Sequence, residues 1–321
     1  MDNLLIENTD VLSYTHISAV FCAMYGLGSI ADFWKYQMYG NLCYVHDTNT
    51  MHHCGKYAPL SYLDFEEKEW IILRKLPQNT SCEKLKNYLN QNYLLLLPIN
   101  TKLLGCTERA YIHNVLIVGY ENDGFLVYDF WAPHLVWMRK KVCCQILFSS
   151  IDFSNAETVQ MVYAFKCNDI REYKRPTLTE LQETYQTVWV SRDSDSYQQR
   201  SNAYGFDAYI TFCEHLKQLD EFSLQDCQNL HVIYDHLRFS RDSLTSLFSH
   251  IPAVKDWIIQ HNSLIDSVNK IRLTAYKYYL TCRKAGALCN DFAKEICMIA
   301  QEEGQQIQKI VELKGEEYVI R

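Results

Sequence analysis

Apolar residues along this chain recur first at helical spacing, then in strand-like runs, then at helical spacing again. Ile17, Val20, Phe21 and Met24 fall on one stripe of a helix predicted over Ile17–Tyr25. Asp10, Ser13 and Thr15 precede it as N-cap residues, and Gly26 and Gly28 end it. A second helix is predicted over Ser81–Asn92, with Leu85, Tyr88 and Leu89 on one face.

Strands follow. Tyr93–Ile99 is a short apolar run closed by Pro98 and Asn100, and Asn114–Tyr120 is rich in β-formers. Glu121-Asn122-Asp123-Gly124 then reads as a tight turn, and Phe125–Phe130 resumes as a strand. Leu135–Met138, Val142–Phe148 and Thr158–Phe165 extend the same antiparallel sheet. Helix first and sheet afterwards is an α+β order.

Past Arg175-Pro176 the pattern changes. Phe206–Leu219, Leu224–Phe248, Val254–Cys282 and Ala287–Val311 carry helical periodicity, separated by Ser223, Pro252 and Gly286. Ser191–Asn202 is polar and reads as a connection. The expected division is therefore a first domain over residues 1–168 and an all-α helical domain over 176–321.

Composition narrows the class. Of 321 residues, 48% are hydrophobic and 21% charged, with 6 prolines and 11 glycines, which suits globular domains rather than disorder. A net charge of −7 argues against nucleic-acid binding, and the longest basic run is only Arg139-Lys140-Lys141. No run approaches the ~18 consecutive apolar residues of a membrane span. Asp2 and Glu7 interrupt the start, so no secretory signal is expected there. The 13 cysteines are odd in number and irregularly spaced, and Cys22, Cys43, Cys213, Cys227 and Cys297 sit in apolar stretches. We therefore expect reduced thiols in a cytoplasmic protein. Cys43, His46, His52, His53 and Cys54 cluster in sequence, yet no second ligand pair follows at zinc spacing; a surface loop without metal is expected.

The most informative segment is Ile112-His113-Asn114-Val115-Leu116-Ile117-Val118-Gly119-Tyr120, followed by Tyr128-Asp129-Phe130. Histidine begins one arm of a hairpin and aspartate ends the other, so antiparallel pairing brings the two together. A carboxylate beside an imidazole fixes its tautomer and favours its charged form, the base-and-orienter half of a nucleophilic site. A structural His–Asp pair at a sheet edge is the competing reading. His231 and His236 lie five apart, about 140° around a helix, and so share no face; His236 with Asp235 and Arg238 reads as a polar helix surface or an interdomain contact rather than a catalytic group.

This hairpin resembles the His…Gly-Tyr…Asp segment of papain-like double-glycine leader peptidases, and more closely the butirosin biosynthesis protein H N-terminal domain family. The likeness takes in the early helix with Tyr25-Gly26-Leu27-Gly28, the aromatic Phe33-Trp34-Lys35-Tyr36, and Leu85–Pro98. It covers about residues 1–165. More loosely, Tyr204-Gly205-Phe206-Asp207 and Leu230–His236 are similar to the helical halves attached to such domains.

The resemblance implies a papain-like N-terminal domain that moves an acyl group from an acyl or peptidyl carrier protein to a small-molecule amine, with no cofactor. His113 would be the general base and Asp129 its orienter. The family's nucleophile is a cysteine at a helix start, where the dipole lowers its pKa. Here Ser13, Tyr14, Thr15 and His16 occupy that place. Thr15 and Ser13 are the hydroxyl substitutes or simply helix caps, and Cys22 is a nucleophile or a packed core thiol. Asn8 matches the family's oxyanion amide or is a surface residue. Three functions stay open: the acyltransferase, a catalytically silent scaffold that binds a carrier protein or peptide, and a cysteine peptidase using Cys22.

Overall fold

The computed structural model describes residues 42–53, 68–73, 76–100, 112–129, 142–150, 161–166, 177–186 and 202–313. In chain order these form β1 (Leu42–Val45), β2 (Thr50–His53), β3 (Lys68–Ile72), α1 (Gln78–Asn90), β4 (Leu94–Asn100), β5 (Ile112–Glu121), β6 (Gly124–Asp129), β7 (Val142–Leu147) and β8 (Met161–Phe165). Then come α2 (Leu178–Tyr185), β9 (Asn202–Tyr204), α3 (Phe206–Leu216), α4 (Leu224–Phe248), α5 (Pro252–Leu280) and α6 (Gly286–Val311). Helices and antiparallel sheets make the fold α+β. The predicted helix over Ile17–Tyr25 and the predicted strand over Leu135–Met138 lie outside the described residues.

The described residues 68–166 belong to one compact unit, and residues 42–53 with 177–313 to another. The first is a six-stranded antiparallel sheet in the order β3-β8-β4-β5-β6-β7. Leu95, Leu97, Val115, Ile117, Phe125, Val127, Val162 and Ala164 form its core with Leu85 and Leu89 of α1. Leu94, Leu96, Leu116, Tyr163 and Phe165, at the alternate positions, are buried as well. Burial on both faces explains why β4 reads as an unbroken leucine run rather than an alternation.

Local chemistry sets the ends of α1. Ser81, Leu85 and Leu89 recur every four residues on its buried stripe. Asn92 then takes a left-handed φ of 66°, its N–H bonding Leu89 O at 3.0 Å, while Tyr93 N–H bonds Tyr88 O at 3.1 Å. That pair of bonds is a Schellman ending, and asparagine tolerates the left-handed site better than most residues.

In the second unit α3 to α6 pack together. Ser223 and Asp226 close a capping box at the start of α4, a device worth about 1 kcal/mol. Pro252 sits at the start of α5, where its missing N–H costs nothing. Helix α5 ends two residues earlier than its periodicity suggests, because Cys282 turns left-handed at φ 48°.

The same unit holds a small sheet, β2-β1-β9. Where a surface loop was expected at His46–Cys54, Thr50–His53 is a strand paired to β1, with Cys43 opposite His52. Cys43 and Met51 are buried. Asn229 of α4 fixes this hairpin: its Nδ2 donates to Asn49 O at 2.8 Å, and its Oδ1 accepts from Met51 N at 2.9 Å. Among the described residues no helix is long and apolar enough to cross a membrane, and no cluster suits a metal ion.

Candidate functional site

The β5–β6 hairpin carries the sequence-predicted pair. Its strands join through Asn122-Asp123, with Asn122 at φ 46° in the left-handed region that asparagine favours. Leu116 pairs with Tyr128 and Ile117 with Val127; the register then shifts, and Gly119 pairs with Leu126. On the other side Leu97 pairs with Val115 and Ile99 with His113.

Strand alternation puts position 113 on the face of Val115 and Ile117. Continuing the Leu116–Tyr128 register by one step sets Asp129 across from Val115, on the same face as Val127. Positions 113 and 129 therefore share one face of adjacent strands, two residues out of direct register. Diagonal neighbours of this kind lie within reach of long side chains. Asp129 also pairs with Val142 of β7, so both positions sit on interior strands of the sheet rather than at an edge. The side chains of His113 and Asp129, and all of Asn8, Ser13, Thr15 and Cys22, lie outside the described set.

A second concentration of chemistry, unforeseen from sequence, fills the helical unit. His231 and His236 are not on a polar surface: each is 2% exposed. Helix α4 is buried nearly all round from Leu230 to Ser240, so residues on different faces are equally enclosed. His236 Nε2 donates to Glu303 Oε1 at 3.0 Å, and Tyr209 Oη donates to Glu303 Oε2 at 2.8 Å. One carboxylate from α6 thus joins α3 and α4.

Burial alone would raise the Glu303 carboxyl. His236, His261 and the Tyr209 hydroxyl together outweigh it and hold the group below the usual carboxylate range. The Tyr209 hydroxyl moves well above its ordinary value, first through burial and then through Glu303. His261 of α5 stacks on Trp257 at 4.1 Å and is wholly buried. Its Nε2 donates to Leu237 O at 3.1 Å, and its Nδ1 lies 3.0 Å from Gln306 Oε1. Burial lowers its pKa and so favours the neutral ring, which requires the Gln306 amide to present its NH₂ to Nδ1 instead.

Arg272 is 5% exposed. Its Nη1 donates to His231 Nδ1 at 2.9 Å, its Nη2 donates to Asn269 Oδ1 at 2.6 Å, and its guanidinium stands 4.2 Å from the centre of the Tyr234 ring. Those contacts replace part of the water it has lost.

A His–Asp pair does appear at the corner from α3 to α4. His215 Nε2 lies 2.7 Å from Asp226 Oδ1, and Ser223 N donates to Oδ2 at 2.8 Å. Burial would raise the Asp226 carboxyl, but the hydrogen bonds from His215 and Ser223 lower it overall. His215 ends α3 and Asp226 begins α4, where a cation and an anion respectively suit the helix dipoles. That placement makes the pair a helix clasp. The Ser-x-x-Asp spacing at Ser223 was its legible signal. No protein-family model matches the chain, and no curated protein matches its sequence.

Proposed function

We propose that this chain is an acyltransferase-like protein with a papain-like N-terminal domain, transferring an acyl or peptidyl group from a carrier-protein thioester to an amine. The observation that supports the reading is the register of β5 and β6, which, continued one step past Leu116–Tyr128, puts positions 113 and 129 on one sheet face. In this scheme Asp129 orients the imidazole of His113. His113 takes the proton from the incoming amine as its nitrogen attacks the thioester carbonyl. The C–S bond then breaks, and the carrier thiol leaves with that proton. The direct attack needs no enzyme nucleophile, which accommodates Ser13-Tyr14-Thr15-His16 where the family has cysteine. With Thr15, Ser13 or Cys22 as nucleophile, an acyl-enzyme forms first and Asn8 is the oxyanion donor.

The test is His113→Ala in the full chain, assayed with a simple acyl thioester and a primary amine while circular dichroism monitors the fold. Loss of amide formation with an unchanged fold is expected. Full activity in the variant would remove His113 from the chemistry. The absent cysteine also favours a second reading, a silent carrier- or peptide-binding scaffold. Its mark is carrier-protein binding with neither acyl adduct in the intact mass nor turnover in the wild-type chain.

A further inference from the structure

Helix α5 buries one stripe in the bundle, through Val254, His261, Leu264, Val268 and Ile271. Its opposite side faces solvent and still carries large apolar side chains: Ile259 is 63% exposed, Leu273 40% and Leu280 58%. Together with the exposed Asp266, these three recur every seven residues. A straight helix drifts only about 20° per heptad, so the four positions form one narrow stripe. Charge on that side is divided along the axis. The exposed acids Asp256 and Asp266 come first; the exposed bases Lys270, Lys277, Arg283 and Lys284 follow, the last two just past the helix end. Lys255 is the exception.

A second copy of this face matches it in one register. Parallel pairing stacks Asp266, Lys270 and Lys277 each on its own counterpart. Antiparallel pairing centred on Asp266 sets Ile259 against Leu273 but Asp266 against itself. Centred between Tyr276 and Lys277, it sets Leu273 against Leu280 but Lys270 against Arg283. Centred between Asn269 and Lys270, it sets Ile259 against Leu280 at both ends and Asp266 against Leu273. Lys270 and Lys277 of the second copy, three and four residues from that Leu273, then flank Asp266.

We infer that α5 forms the interface of a symmetric dimer of this chain, each helix antiparallel to its counterpart about a two-fold axis between Asn269 and Lys270. Such an interface is isologous: the same strip serves both copies, with apolar layers at its two ends and opposite charges between them. From Ile259 to Leu280 the strip is about 32 Å long. That is at the small end of protein interfaces, so the dimer exchanges with monomer at micromolar rather than nanomolar protein.

Sedimentation velocity of the full chain, from micromolar to millimolar protein, should show the 37.8 kDa monomer passing to a species of twice that mass. Added salt should weaken the association by screening the pairs at Asp266. Ile259→Lys, opposite Leu280 and Lys277 of the second copy, should raise Kd about tenfold or more, as should Asp266→Lys. Asp266→Lys combined with Lys270→Asp should recover most of the affinity. All these side chains are exposed, and circular dichroism should report an unchanged fold. Ile72→Glu, at a 61% exposed position of the sheet unit, should leave the dimer as it is. Roughly 37 Å of helix separates Lys255 from the end of α5 before Lys284, whereas this register brings the two lysines together between copies. A short amine-reactive cross-linker should therefore join them in the dimer fraction alone. A monomer at every concentration would overturn the inference, as would a dimer without the Lys255–Lys284 link. So would one that keeps its affinity in both single variants, or that the charge swap fails to restore.

Discussion

Glu303 of α6 and His236 of α4 meet at 3.0 Å, each side chain 1% exposed. Two ionisable groups taken out of water together depend on one another. Removing either leaves a buried partner uncompensated, whereas replacing both with apolar groups of similar shape removes the burden altogether. We expect Glu303→Ala to cost about 3–5 kcal/mol of unfolding free energy in urea titration. The double variant His236→Leu with Glu303→Met should lie much closer to wild type. Additive losses in the two single variants and the double would show that the pair is not coupled.

Acid should weaken the helical unit in two stages. The pKa of His261 is lowered in the fold, so nothing is lost above its unfolded value of about 6.5. Below that value the unfolded chain takes up a proton that the folded one resists, and stability falls. Glu303 and Asp226 are also lowered; their contribution is intact above the ordinary carboxylate range of about 4 and fades as pH drops through their folded values. All three have the same sign. Melting midpoints between pH 8 and 5 should decline, and His261→Gln should flatten that stretch while sparing the later carboxylate stage. A wild-type midpoint independent of pH in this interval would contradict the assignment.

Asn229 joins the β1–β2 hairpin to α4 through both ends of its amide. Asn229→Ala strands the Met51 N–H and the Asn49 carbonyl, at a cost of about 1–3 kcal/mol. Amide exchange at Met51 should accelerate in the variant. Unchanged protection there would mean that packing of Tyr44 and Met51 holds the hairpin unaided.

Cys282 occupies a left-handed position after α5, with its N–H on Tyr279 O and the Arg283 N–H on Tyr278 O, both at 3.1 Å. A side chain at such a site costs roughly 1 kcal/mol relative to glycine, which relieves the clash. Cys282→Gly should therefore raise the melting midpoint by a few degrees, and a fall would show that the cysteine makes a compensating contact.

Where local chemistry determines an element, the sequence was a good guide. Leu224–Phe248 is a helix between the limits read from its periodicity, because Ser223 caps one end and Pro252 opens the next helix soon after the other. Asn122-Asp123 placed the β5–β6 turn for the same reason. Long-range pairing was the harder part. His46 to Cys54 looked like a loop with stray ligands, since the strand within it is four residues long and needs β1 beside it and Asn229, far along the chain, to complete it. The polar-surface reading of His236 failed because α4 is enclosed on nearly all sides there, which a local Asp-His-x-Arg pattern does not reveal. For the proposed site, parity and turn length put positions 113 and 129 on one sheet face, and the other candidate residues lie outside the described set.

The hairpin at residues 42–53 has a consequence for how this molecule can be divided. Its strands are spliced into the helical unit from upstream of the sheet, so the polypeptide returns to that unit after leaving it. A cut just before residue 177 therefore yields no autonomous C-terminal half: β9 would lose β1, and Asn229 would face solvent. Ribosomal synthesis delivers that hairpin long before its partners, leaving Leu42, Tyr44 and Met51 to wait for α3 and α4. Limited proteolysis should accordingly release fragments that stay associated until denaturant is added.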